Sequence, residues 1–346
     1  MRNILCIFLL MLMFTAPVYA SGIVAPQVPD DVQQLLPSEQ EDFGNGLWHV
    51  LTEACSKMQP QVASSAKLCF GITGAMLVFA ILRNFDGKSK AVVELAGVFL
   101  VSCMLLDSTN SMIETGTKTV WRISEYGKLL LPVMTAALAA QGGSVSAASL
   151  YAAAALFDTV LCSLVSSVLI PMVYIYIVLS IVNAVAGDAL LKKLRDLMKM
   201  IMTWSLKIIL YVFTGYISIT GIISGAADQT AVKAAKLTIS GMVPVVGGIL
   251  SDASETILIS AGVVKNTAGI YGLLAIIAVT IIPFLTIGIH YVTLKLTAAI
   301  TTVFAPKPIA GLLEDFSGAM GLILGMTGSV CFIQLISVVC FLKGVS

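Results

Sequence analysis

The chain has 346 residues, of which 58% are hydrophobic and 11% charged, whereas a soluble domain carries about 25% charge. A water-soluble fold of this size could not cover itself, so hydrocarbon is the expected solvent for most of the surface. The formal charge of +1 says nothing of partners. The only basic run is the short one near Lys192, and aromatic residues do not interleave with Arg, so nucleic-acid binding is set aside. Seven cysteines form no C-x-x-C spacing and no Cys/His cluster, which gives neither a disulfide framework nor a zinc site. Cys55 alone reads as exposed.

Residues 1–20 have Arg2, an apolar run from Ile4 to Phe14, and Val18-Tyr19-Ala20 before Ser21. They read as a cleavable signal peptide, which places the mature N-terminus outside the cytoplasm; an uncleaved helix is the alternative, for which the run is short. Residues 21–66 form an extracytoplasmic segment. It opens with an acidic, proline-containing tail (Pro26, Pro29, Pro37, Asp30, Asp31, Glu39, Glu41, Asp42) and continues from Leu47 to Lys67 with helical alternation suited to the membrane surface or to a partner. Residues 67–346 form a polytopic membrane domain.

Each apolar run is judged against the roughly 20 residues that cross hydrocarbon. The first span is 64–82, and Arg83, Lys88 and Lys90 after it read as a cytoplasmic loop. The second is 91–106. From Asp107 to Lys128 the pattern is that of an interfacial helix with Trp121 and Tyr126 at headgroup level. Residues 129–140 are short, contain Pro132 and read as re-entrant or spanning. An apolar run follows from Ser144 to Ala186, broken by Asp158 and Pro171. Lys192, Lys193, Arg195 and Lys199 then mark a second cytoplasmic segment, which requires an odd number of crossings between 107 and 190, either one or three. Residues 204–223 span outward, and 224–269 are mixed, charged and glycine-containing. Residues 268–304 are apolar and broken at Pro283, and 318–342 form the last span. The expected fold class is an all-α polytopic bundle of about 6–8 spanning or re-entrant segments, with Pro132/Pro171 and Pro244/Pro283, each pair 39 apart, hinting at an internal repeat.

Chemistry-bearing residues are few. The two histidines, His49 and His290, lack a partnered nucleophile, and no G-x-S-x-G or H-E-x-x-H is present. Asp158 and Asp188 raise an intramembrane aspartyl-protease reading, against which Asp188 beside Lys192 reads better as a solvated helix end. Glu94, Asp158, His290 and Lys295 lie within apolar runs. They are costly in lipid and therefore read as path-lining residues facing a bundle interior, with snorkelling as the competing reading for Glu94 and Lys295. Asp228, Lys233 and Lys236 share a helix face, and Asp252 to Glu255 has the form of a capping box. Together with Pro244, Gly247, Gly248, Lys265 and Asn266 they read as structural or partner-facing. Gly321-x-x-x-Gly325 is a small-residue seam for internal packing or subunit contact.

The stretch Leu190 to Leu274 resembles the stage III sporulation protein AE family of endospore-forming bacteria. The residues that carry the resemblance are Leu191-Lys192-Lys193-Leu194, Trp204-Ser205-Leu206, Gly221-Ile222-Ile223-Ser224-Gly225-Ala226-Ala227-Asp228, Val232-Lys233-Ala234-Ala235-Lys236, Val243-Pro244-Val245-Val246-Gly247-Gly248, Ser251-Asp252-Ala253-Ser254-Glu255-Thr256 and Val264-Lys265-Asn266-Thr267-Ala268-Gly269. Leu131-Pro132-Val133-Met134, Gly142-Gly143 and Ile170-Pro171 extend the match to roughly 125–345. The resemblance implies a non-enzymatic, cofactor-free subunit of the channel complex joining mother cell and forespore, in the mother-cell membrane around the forespore. Implied partners are the ring-forming subunits of the stage III sporulation A complex, a secretion-type ATPase, the lipid bilayer and, at a distance, stage II sporulation protein Q, with further copies of the chain as another option. A secondary transporter of a small solute is the alternative from the broken helices and buried ionisable residues.

Overall fold

The structure is a computed structural model and describes residues 26, 28–36, 43–85, 90–140, 144–219 and 267–345. Every regular element among them is helical. They are α1 (Asp30–Gln33), α2 (Phe43–Ser56), α3 (Gln59–Phe85), α4 (Lys90–Ala140), α5 (Ser144–Leu164), α6 (Ile170–Ala186), α7 (Ala189–Ile219), α8 (Thr267–Thr301) and α9 (Lys307–Val345), with a π turn, Val165–Leu169, joining α5 to α6. Six helical stretches among the described residues are long and apolar enough to cross a membrane, with α5, the π turn and α6 acting as one. The all-helical polytopic fold read from composition therefore holds.

Local sequence explains the joints. Pro171 has no N–H and its ring crowds the preceding turn, and the widened turn Val165–Leu169 just before it absorbs the misfit without ending the rod. At Gly187-Asp188 the rod does end. Gly187 takes a left-handed φ of 64° and its N–H bonds the Asn183 carbonyl oxygen at 2.8 Å, while Asp188 Oδ1 accepts from the Leu190 N–H at 2.8 Å. One dipeptide thus closes α6 and starts α7.

The packing core is the α8–α9 hairpin. In the most apolar stretches of these two helices 72% and 67% of residues are buried, against 17–33% for the other four. Helix α4 runs parallel to α9, because Gly97 meets Ile309, Gly116 meets Ile323 and Gly127 meets Gln334 in the same order along both. Such close approach requires small residues. Gly321 and Gly325 also serve internal packing: the first faces Tyr291 of α8 and the second Leu206 of α7. The starts of α4, α7 and α9 and the ends of α6 and α8 consequently share one end of the bundle, where Lys192, Lys193, Arg195, Lys295 and Lys307 gather.

Three expectations are corrected. Residues 91–140 are one helix rather than a span, an interfacial helix and a separate proline segment, because the apolar side of the amphipathic stretch (Met112, Ile113, Val120, Ile123) is buried in the helix bundle and has no need of the membrane surface. Tyr126 is buried at 3% exposure instead of sitting among headgroups. Cys103 is exposed as well as Cys55. Beyond α4, the chain up to Ala186 forms one rod with one candidate span, Tyr151–Ala186. Pro132 and Pro283 lie inside helices, whereas Pro244, the other repeat proline, lies outside the described residues, as does the signal-peptide stretch.

Candidate functional site

Most buried Ser and Thr hydroxyls bond carbonyls of their own helix, and a few polar side chains are tied between helices. On α5, Asp158 is 2% exposed and its Oδ2 accepts from Ser124 Oγ of α4 at 2.7 Å. The Gln334 side chain of α9 adjoins the same carboxyl and fits there because Gly127 has no side chain to occupy that space. Asp158 Oδ1 and both polar atoms of the Gln334 amide make no hydrogen bond in strict geometry among the described residues. Three polar side chains from three helices thus meet away from water, where each depends on the others for a partner.

About 24 Å further along α4, by helical rise, Ser108 Oγ lies 3.2 Å from His290 Nε2 of α8. Two residues from Ser108, the Tyr174 hydroxyl of α6 donates to Asn110 Oδ1 at 2.9 Å. At the basic end, Arg195 of α7 pairs through Nη1 with Asp315 of α9 and through Nη2 with Asp196 at 2.8 Å, and the Tyr176 hydroxyl donates to the other Asp315 oxygen at 3.3 Å. Lys295 of α8 is exposed and pairs with Glu314 at 2.9 Å. Beside it is a cavity of about 310 Å³ lined by Ala298, Thr302, Lys307 and Gly311 among others. Glu94 is half-buried near the start of α4.

The four candidate path residues are therefore strung along the bundle and do not converge. Asp158 sits at the α4–α5–α9 joint, His290 at the α4–α8 contact, and Lys295 and Glu94 toward the basic end. Asp158 and Asp188 are separated by a rod of about 45 Å, so no carboxylate pair forms. Asp228, Lys233, Lys236, Pro244, Gly247, Gly248, Asp252, Glu255, Lys265 and Asn266 lie outside the described residues. Sequence reading missed Ser124, Gln334, Ser108 and the Arg195–Asp315–Tyr176 cluster. Gln334 in an apolar run was a visible signal, but its partners depend on which helices meet. No group of three or more His, Cys, Asp or Glu side chains among the described residues could hold a metal ion.

Six helical stretches of membrane-crossing length, outer faces that are mostly apolar and several internal polar residues tied between helices define a multi-pass α-helical membrane protein. The family model for stage III sporulation protein AE matches residues 31–344, and the chain belongs to that family. It is 26% identical over 243 residues to stage III sporulation protein AE of Bacillus subtilis (strain 168), an alignment covering 70% of this chain and 61% of that protein. The aligned part of this chain thus spans about three fifths of that curated relative's length. No solved structure matches the chain.

Proposed function

We propose that this protein is the multi-spanning membrane subunit of the complex that links mother cell and forespore, and that its bundle forms or braces the passage. Membership of a stage III sporulation family over residues 31–344 is the observation that carries this reading, and a bundle with six membrane-length helical stretches supplies a body able to do it. The basic end faces the mother-cell cytoplasm, as clustered Lys and Arg favour. The segment 224–269 and the opposite end face the space between the two membranes, where ring-forming subunits dock; a secretion-type ATPase works from the cytoplasmic side. The role is structural and transport-related, without catalysis or a cofactor.

Deletion of the gene tests it. The expected result is engulfed forespores that fail to become heat-resistant spores, restored by the wild-type chain supplied in the mother cell. A normal yield of resistant spores, or rescue only by expression in the forespore, would overturn the proposal.

A further inference from the structure

The outward face of α4 between residues 107 and 128 carries Asp107, Glu114, Lys118, Trp121, Glu125 and Lys128. From 111 onward the exposed positions are spaced alternately by three and four, which keeps them on one side of a helix. Glu114 and Lys118 pair at 2.6 Å with their side chains 59% and 70% exposed, and Trp121 is 47% exposed. The charged stripe is therefore not folded into the core.

Two hydrogen bonds fix the depth of the stripe against the rest of the bundle. Asn110 receives the Tyr174 hydroxyl of α6, and Ser124 donates to Asp158 of α5. Between Asp158 and Tyr174 the chain contains no Asp, Glu, Lys or Arg, and its outward side chains include Val160 and Val168, 46% and 45% exposed. At one and the same depth, then, one side of the molecule suits lipid and the other is charged. Hydrocarbon that bathes the α5–α6 side reaches the level of the α4 stripe, where ionised side chains are costly unless they meet water or protein. Copies inserted in the same sense around a membrane-normal axis place identical residues at equal depth. A dry contact across such an axis would set Glu114 against Glu114 and Lys118 against Lys118, whereas water between them screens the repulsion.

We propose that the α4 stripe lines a water-filled lumen enclosed by several copies of this chain. That the lumen serves as the passage between compartments rests on the function proposed above; its existence rests on the geometry alone. Acidic and basic residues both occur along the stripe between Asp107 and Lys128, so the lining admits hydrophilic solutes of either charge sign rather than selecting one, unlike the single-sign rings of selective channels.

The test uses the full chain in membranes from sporulating cells, with its seven native cysteines replaced and wild-type yield and thermal stability of the detergent-extracted variants as the check on folding. Single cysteines are placed by Ser111→Cys, Lys118→Cys and Glu125→Cys on the stripe, and by Val160→Cys and Ile175→Cys on the apolar side. The expected result is modification of the three stripe positions by a charged, membrane-impermeant methanethiosulfonate. The two apolar positions should react only with a lipid-soluble maleimide, and two differently tagged copies should co-precipitate. Protection of the stripe from the charged reagent, whether by residues 220–266 or by another protein, would overturn the proposal, and so would failure of the copies to co-precipitate. A labelled, multimeric stripe in a strain that makes resistant spores without this gene would refute the proposed function and leave the lumen standing. A protected stripe in a strain that depends on the gene would do the reverse.

Discussion

Arg195, in the first turns of α7, grips one carboxylate oxygen of Asp315 in α9, while the Tyr176 hydroxyl of α6 donates to the other. Both charged side chains are only 12% exposed, so three helices are joined at the basic end by a pair that water screens poorly.

Removing one member leaves the other charge stranded. Asp315→Ala is expected to destabilise the purified protein by about 3–5 kcal/mol, and Arg195→Met plus Asp315→Leu together by much less, because both charges are then gone. Thermal unfolding in detergent, followed by the loss of helical circular dichroism, checks the order of the two.

Gly127 and Gly288 should respond oppositely to the same change. A methyl at Gly127 overlaps the Gln334 side chain, so Gly127→Ala is expected to cost about 1–3 kcal/mol. At Gly288 nothing lies within 4 Å of the added carbon, and Gly288→Ala should stabilise α8 by up to about 1 kcal/mol. The same unfolding measurement reads both.

Ser124→Ala removes the hydroxyl that donates to buried Asp158. The expected loss is about 1–3 kcal/mol, larger than that of Ser124→Ala added to a variant already carrying Asp158→Leu, since an unpartnered buried group costs more than an absent pair. A double-mutant cycle measures the difference.

Within 224–269, Asp252→Leu or Lys265→Leu is expected to lower recovery of the partner subunits and the yield of resistant spores while the variant still reaches the membrane. Immunoblots of membrane fractions beside spore counts separate loss of docking from loss of the protein.

Helix length and apolar composition made the spans legible in the sequence, because 20-residue apolar runs have one stable solution in lipid. Glycine before aspartate at 187–188 announced the α6–α7 joint. What stayed hidden was the continuity of α4. Its middle third looks like an interfacial helix when taken alone, and only its packing against α5, α8 and α9 explains how Ile113, Val120 and Ile123 come to be buried. The pairings Ser124–Asp158 and Ser108–His290 were equally illegible, since residues 34 and 182 positions apart meet through tertiary packing and leave no local pattern. Asp158 and His290 themselves stood out as polar residues in apolar runs, and both are buried.

Affinity purification of the tagged chain from mother-cell membranes, after engulfment and in mild detergent, decides whether the bundle works as part of the channel complex. The ring-forming stage III subunits and the ATPase should come down with it in fixed proportion, and should be lost on deleting 224–269. Recovery of the chain alone, from cells in which those subunits assemble normally without it, would rule such an assembly out.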